Sequence, residues 1–287
     1  VSIDMGKSTN KGTAMMKFAH QFQPNVILQD EYVSWFFDDS TAKSLQENSL
    51  NLNVEPVDDS QRFQQISYWY TILREKYCDE VIVDALASEC RQLLLLGSGY
   101  DTRFFRISAV RERATATFEV DLPETINNKK KYLSDKLGHI PEGLTLIPLD
   151  FNHGDLNSLD RYGFDNTLPT AYVWQGVSYY LPRESVSQVL DYIKSQMTPD
   201  SVLVFDCCSP LMTYKNDQVP GIASSIDQLS KIGEPYLFGM YSDEMKNWLE
   251  EKGFQNIEIL QQDDLEDRVL HKRTLPSNMW YVVSAKV

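Results

Sequence analysis

Gly97-Ser98-Gly99 directly follows four consecutive leucines, Leu93 to Leu96, and precedes the stretch Phe118-Glu119-Val120-Asp121-Leu122-Pro123. The leucines read as a parallel strand buried on both faces, since such a strand needs apolar side chains on either side. The glycines that end it accept backbone angles and close approaches that a side chain forbids. A ligand is therefore expected across this turn, at the carboxyl end of the strand, where open α/β sheets bind nucleotides. Thr115 to Val120 reads as a second strand, and Glu119 and Asp121 at its end are placed to accept hydrogen bonds from the ribose hydroxyls of an adenosine.

The missing glycine narrows the ligand. A dinucleotide fingerprint has its third glycine at position 102, where it lets the helix pack close and turn its N-terminus to a pyrophosphate; here the residue is Thr102. A cofactor with adenosine but no phosphate has no such need, and S-adenosylmethionine is the common one. Asp101 in the same loop suits an ammonium group better than a pyrophosphate. Thr102 disfavours a nicotinamide-dependent dehydrogenase for the same reason.

Leu-Gly-Ser-Gly-Tyr-Asp-Thr-Arg at 96–103, followed by Glu119-Val-Asp-Leu-Pro-Glu, resembles the leucine carboxyl methyltransferase family. That family includes bacterial O-methyltransferases of polyketide and other secondary metabolism, and the likeness extends over most of the chain. It implies the class I methyltransferase fold, with Gly97, Ser98, Gly99, Asp101, Glu119, Asp121 and Leu122 at the cofactor. Leu73-Arg74, with Asp79 five residues after the arginine, resembles the helix that precedes the glycine loop, so Arg74 inherits the contact to the methionine carboxylate. Ile147-Pro-Leu-Asp150-Phe151 resembles the strand end at which an acid meets the adenine amino group and an apolar residue packs on the ring. Asp150 and Phe151 inherit those roles.

Trp174-Gln175-Gly-Val-Ser178-Tyr179-Tyr180-Leu departs from the family's Glu-Gly-x-x-x-Tyr-Leu at one position, Gln175. A glutamine donates and accepts hydrogen bonds but carries no charge and cannot act as a base. A mechanism that needs a carboxylate there is put in doubt, and a contact to the methionine ammonium is weakened. Ser178, Tyr179 and Tyr180 are expected beside the transferring methyl. Tyr179 is the better candidate to orient an acceptor, because Tyr180 falls on the family's ordinary Tyr-Leu position. A carboxylate acceptor is already ionised at neutral pH and needs no base, whereas a hydroxyl must lose a proton.

The elements that must hold these residues alternate. Strands are predicted near 92–97, 116–120, 144–148, 171–175, 201–206, 256–260 and 279–285, with helices near 124–137, 183–197 and 243–252. This pattern indicates a Rossmann-like α/β fold with a seven-stranded, mostly parallel sheet, closed by a final hairpin. Residues 1–75, with helical segments at Thr13–Gln21, Asp30–Phe37 and Gln61–Glu75, are expected to form a cap on a methyltransferase domain spanning 76–287. Residues 208–242, rich in Pro, Gly and aromatics, read as an insertion after the fifth strand that either folds over the site as a lid or is a long connection.

Composition sets the outer bounds. The chain has 287 residues, 42% hydrophobic and 24% charged, ordinary for one enzyme-sized α/β domain. Its net charge of −14 repels phosphate backbones, so no nucleic-acid partner is expected. Lys129-Lys130-Lys131 reads as a solvated helix face, and Asp263-Asp264 with Glu266-Asp267 as a solvated acidic loop. No segment is apolar enough for a membrane, no leader is recognisable, and the four cysteines lack metal spacing. Adjacent Cys207 and Cys208 read as reduced thiols in a buried strand, which suggests a cytoplasmic protein. His20, His139, His153 and His271 show no metal-binding interval, and Gly6-Lys7-Ser8-Thr9 lacks the earlier glycine and strand of a phosphate loop.

The expected protein is a cytoplasmic S-adenosylmethionine-dependent O-methyltransferase acting on a small-molecule or carrier-protein-linked acceptor. Methyl-ester formation on a protein's terminal leucine carboxylate, and a non-catalytic cofactor-binding protein, are the alternatives.

Overall fold

The computed structural model describes residues 9–47, 55–271 and 277–287. Gly6-Lys7-Ser8 therefore lies outside the described residues. Seven strands form one sheet: β1 (Gln92–Leu96), β2 (Ala116–Asp121), β3 (Leu144–Pro148), β4 (Thr170–Trp174), β5 (Val202–Cys208), β6 (Gln255–Gln261) and β7 (Trp280–Lys286). Their order is β3-β2-β1-β4-β5-β7-β6, with β7 antiparallel to both neighbours and the other pairings parallel. The chain winds outward from β1 to β3 and then restarts at β4 on the other side of β1. A crevice opens at that reversal, beyond the carboxyl ends of β1 and β4.

Ten α-helices accompany the sheet among the described residues: α1 (Thr9–His20), α2 (Asp39–Glu47), α3 (Asp59–Ala87), α4 (Arg103–Arg106), α5 (Ser108–Arg113), α6 (Pro123–Leu137), α7 (Arg183–Gln196), α8 (Ile222–Lys231), α9 (Ser242–Glu251) and α10 (Gln262–Leu270). The period of two along a strand divides the core. Leu93 and Leu95 join α3 on one face, while Leu94 and Leu96 join α7 and α9 on the other. All four leucines are buried, as a strand covered on both sides requires.

The predicted strands and the closing hairpin all form, with ends within two residues of expectation. Several local readings are corrected. The helix expected at Gln61–Glu75 runs 29 residues to Ala87, started by Asp58, whose side chain accepts from the Gln61 N–H. Positions 75 and 76 thus lie within one uninterrupted helix. The segment Asp30–Phe37 narrows to a 3-10 helix at Glu31–Phe36, with the Asp30 carboxylate accepting from Val33 N–H at 3.1 Å. The acidic stretch at 263–267 is helix α10 rather than a solvated loop, with Glu266 buried. Lys129 is wholly buried, not solvated: it sits between Ile126 and Leu133 on the apolar face of α6. The four cysteines are free and buried, and no described helix is long and apolar enough to cross a membrane.

Candidate active site

The glycine turn is built as its residue types demand. Gly97 has φ 69° and Gly99 φ 50°, and both have their neighbours pressed close. A Cβ on Gly97 would lie 2.2 Å from Val177 Cγ2; one on Gly99 would lie 3.0 Å from Asn10 Cγ in α1. The N–H of Gly99 donates to Asp121 Oδ2 at 2.6 Å, and the N–H of Leu122 donates to Oδ1 at 2.7 Å. Asp121 therefore ties the end of β2 to the turn after β1. Burial pushes its carboxyl above the ordinary range, against these stabilising amide contacts.

A cleft with about 640 Å³ of open space lies on this turn. Seven of the residues singled out in the sequence line it: Gly97, Ser98 and Gly99 from the turn, with Arg74, Asp101, Gln175 and Tyr179 around it. Glu119, Asp121, Leu122, Asp150, Phe151 and Ser178 do not line it. Leu122 is exposed. Asp150 accepts from the Asn152 N–H at 2.9 Å, and Phe151 packs partly buried against the core under β3. The hydroxyl of Ser178 donates to the carbonyl of Asp206. Glu119 lies wholly buried on the Lys129 ammonium, and burial pushes its carboxyl up to about 7 against the pull of that lysine.

Arg74 is the hinge of the arrangement. Its Nη1 donates to Tyr179 Oη at 3.0 Å and to Asp206 Oδ2 at 2.5 Å, while its Nε has no hydrogen-bond partner among the described residues. Asp206 is completely buried in β5, and its Oδ1 accepts from the Gly176 N–H at 2.6 Å. Burial works against the charge on Arg74, but Asp206 more than offsets it and holds the guanidinium above its ordinary range. Nothing in the sequence near 206 announced this partner.

Gln175 faces the next residue of α3. Its Nε2 donates to Glu75 Oε2 at 2.7 Å, and its Oε1 accepts from Arg103 Nη2 at 2.7 Å. Glu75 also meets Lys17 at 3.1 Å, Arg103 at 3.0 Å and Arg106 at 2.7 Å. Burial opposes its charge, but these cations hold its carboxyl well below the usual range. Asp101, expected to be open to a ligand ammonium, is paired with Arg103 through both its side chain and the Arg103 N–H.

A second cavity, with about 680 Å³ of empty space that includes its open mouth, adjoins the cleft. Thr9, Thr13, Arg74, Tyr179 and Tyr180 line both. Its remaining wall is aromatic or neutral: Phe63 and Tyr70 from α3, Trp280 from β7, and Met212, Ile222 and Tyr236 from the segment after β5. Tyr70 stacks on Trp280 with ring centroids 5.5 Å apart, and Tyr179 meets Tyr236 at 4.6 Å. Glu234 of that segment accepts from the backbone N–H of Thr9 at 2.9 Å, joining it to α1. Among the described residues no group of His, Cys, Asp and Glu is arranged to hold a metal.

A sheet of this order with its crevice at a Gly-x-Gly turn and an acid closing β2 is a class I methyltransferase fold. Residues 11–194 match the family model described as leucine carboxyl methyltransferase, and the chain belongs to that family. A relative from Bacillus subtilis, described as "Putative S-adenosyl-L-methionine-dependent methyltransferase YktD", is 30% identical over 203 residues, covering 70% of this chain and 66% of that protein. A Mycolicibacterium smegmatis protein with a similar description is 31% identical over 206 residues, 68% of this chain and 65% of its own length. The chain thus spans just under two thirds of these relatives. The crystal structure of a DUF574 family protein from Streptomyces avermitilis covers 94% of this chain and 96% of its own, with a TM-score of 0.58 and 14% identity, and shares the fold.

The residues present fit the cofactor of this family, S-adenosylmethionine. Glycines that leave no room for a Cβ shape the cleft, and the buried, unpartnered Nε of Arg74 at its wall suits a carboxylate.

Proposed function

We propose that this protein is an S-adenosylmethionine-dependent O-methyltransferase whose acceptor, a small molecule or a small group carried by a carrier protein, enters the aromatic cavity. The observation that carries this reading is the shared wall of the two spaces: Arg74, Tyr179 and Tyr180 line both, so ligands in the cleft and the cavity meet there. When bound, S-adenosylmethionine supplies a methyl group already activated on sulfonium.

The chain's own residues then have positioning tasks. Asp121 sets the glycine turn from outside the cleft lining; by resemblance to the family pattern it takes the ribose, and Asp150 and Phe151 the adenine, while Arg74 offers Nε to the methionine carboxylate. Tyr179, fixed by Arg74 at 3.0 Å, orients the acceptor. Holding nucleophile and electrophile close and aligned supplies much of the acceleration for an in-line displacement. The segment 208–242 supplies one wall of the acceptor cavity and serves as its lid.

A cavity walled by rings and neutral polar groups favours an apolar or aromatic acceptor, as in secondary metabolism of the polyketide type, over a protein's terminal carboxylate. Among the described residues the one cation on its wall, Arg74, is already neutralised by Asp206. Calorimetric titration with S-adenosylhomocysteine, then a labelled-methyl assay over phenols, alcohols, carboxylic acids and a leucine-terminated peptide, tests the proposal. Micromolar cofactor-product binding with methyl transfer to a member of the first three classes is expected. Transfer to the peptide alone selects the protein carboxyl reading. Binding without any transfer across the panel removes the enzymatic one.

A further inference from the structure

The buried ion pairs around Glu75 do not balance. Four carboxylates, Asp30, Glu75, Asp79 and Asp101, surround three cations, Lys17, Arg103 and Arg106, and each of these side chains is at most 11% exposed. Lys129 reaches the Asp101 carbonyl rather than its carboxylate, and its ammonium is held by Glu119. Arg74 and Asp206 cancel each other. Among the described residues the cluster is one positive charge short, and a buried net charge is costly until a counter-charge arrives.

The shortfall lies at the cleft. Glu75, Asp101, Lys17 and Arg103 all line it. Arg74, one residue before Glu75 on α3, lines it too, and its Nε lacks an acceptor although the side chain is only 6% exposed. An unfilled cationic donor on Arg74, next to a cluster with one carboxylate more than its cations that reaches the cleft through Glu75 and Asp101, is what a ligand bearing both an ammonium and a carboxylate requires.

Gln175 completes the argument. A glutamate there would bring a second carboxylate to hydrogen-bond distance of Glu75, whereas the amide donates to it at 2.7 Å. The carboxylate that the family pattern places at the end of the fourth strand has in effect moved across the cleft to helix α3.

We propose that Glu75 receives the α-ammonium of the cofactor's amino-acid end, replacing the charge that Gln175 lacks and supplying the partner that balances the buried cluster. This rests on the cofactor reading above. The ammonium donates to carboxylate oxygens of Glu75, assisted by Asp101, and the neutral amide of Gln175 holds Glu75 without competing for the charge.

The test compares two ligands by calorimetry on the full chain: S-adenosylhomocysteine, and 5′-methylthioadenosine, which keeps the adenosine and thioether but lacks the amino-acid end. In Glu75→Gln, S-adenosylhomocysteine is expected to bind about tenfold to a hundredfold more weakly, the range for a hydrogen bond to a charged group, with 5′-methylthioadenosine unchanged. The double variant Glu75→Gln/Gln175→Glu restores the carboxylate from the strand side and is expected to recover the loss. Unaltered S-adenosylhomocysteine binding by Glu75→Gln, or an equal loss of both ligands, overturns the proposal while leaving the cofactor reading intact. Absence of binding of either ligand to the unmodified chain overturns both. Should Glu75→Gln fail to fold, the unmodified chain decides: S-adenosylhomocysteine with hydrogen in place of its amino group is expected to bind at least about tenfold more weakly, and equal affinity overturns the proposal.

Discussion

The hydroxyl of Tyr179 accepts a hydrogen bond from Arg74 Nη1 at 3.0 Å, and the two side chains together divide the cofactor cleft from the aromatic cavity. Tyr179→Phe removes the oxygen but leaves Arg74 on Asp206. With an acceptor from the panel above, kcat is expected to fall about tenfold, the loss of one oriented hydrogen bond, while S-adenosylhomocysteine affinity stays within about threefold. An equal fall in both quantities would mean that Tyr179 only holds Arg74. Ser178→Ala, by contrast, removes a buried contact to the Asp206 carbonyl outside both cavities, and is expected to cost about 1 kcal/mol of stability in denaturant melts.

Asp121→Ala deprives the Gly99 and Leu122 amides of their acceptor and, under the proposed function, the ribose of its carboxylate. Calorimetry should show S-adenosylhomocysteine binding weakened by about a hundredfold, with 5′-methylthioadenosine weakened alongside because both carry the ribose. That pattern differs from the one expected of Glu75→Gln.

Gly97→Ala meets two obstacles, the positive φ and the Val177 Cγ2 atom 2.2 Å from the new methyl. A loss of at least about 2 kcal/mol is expected in chemical denaturation. Val177→Ala combined with it relieves the clash but not the backbone, so about 1 kcal/mol of the loss should remain.

Lys129→Met leaves Glu119 buried beside no cation and is expected to cost about 3 kcal/mol, whereas Lys131→Met, on the exposed side of α6, should fall within about 0.5 kcal/mol of the parent. Comparable melting temperatures for the two variants would refute the burial of Lys129.

His20 gives the pH dependence a definite sign. The Ile27 N–H donates to its Nε2 at 3.0 Å, leaving Nδ1–H to donate to Tyr68 Oη at 2.6 Å, so the folded ring is neutral. Burial lowers its pKa from 6.5 to about 4. The folded value lies below the unfolded one, so this contribution is complete above pH 6.5 and disappears as the pH falls toward 4, on the order of 3 kcal/mol in all. Melting curves at pH 7, 5.5 and 4.5 should decline more steeply for the parent than for His20→Gln. Parallel slopes would assign the acid sensitivity elsewhere.

What the sequence revealed, and what it hid, follows from the range of the contacts. The four leucines and the glycine turn were legible because strand burial and turn geometry are local properties; the acid at the end of β2 was singled out by its spacing, while its bond to the Gly99 amide was not foreseen. Asp206 was not legible, since its partner Arg74 lies 132 positions away and only the winding of the sheet brings them together. Glu75 was passed over beside Arg74 for the same reason: its cations come from α1 and α4. Lys129 left a readable signal, the apolar pair Ile126 and Leu133 at helical spacing, which the flanking lysines masked. Helix α10 and its buried Glu266 were obscured by an acidic composition that looks solvated.

The length of α3 has a consequence for how such an enzyme changes over generations. Twenty-nine residues make a rod of about 43 Å, whose early turns carry Phe63, Ser67 and Tyr70 at the aromatic cavity, whose middle carries Arg74 and Glu75, and whose later turns anchor through Tyr77, Ile82 and Leu86 to the sheet. Replacements in the early turns can reshape what the cavity admits while the middle and the anchor stay where they are. Under the proposed function, new acceptors are thus acquired a side chain at a time, without rebuilding the middle of the helix.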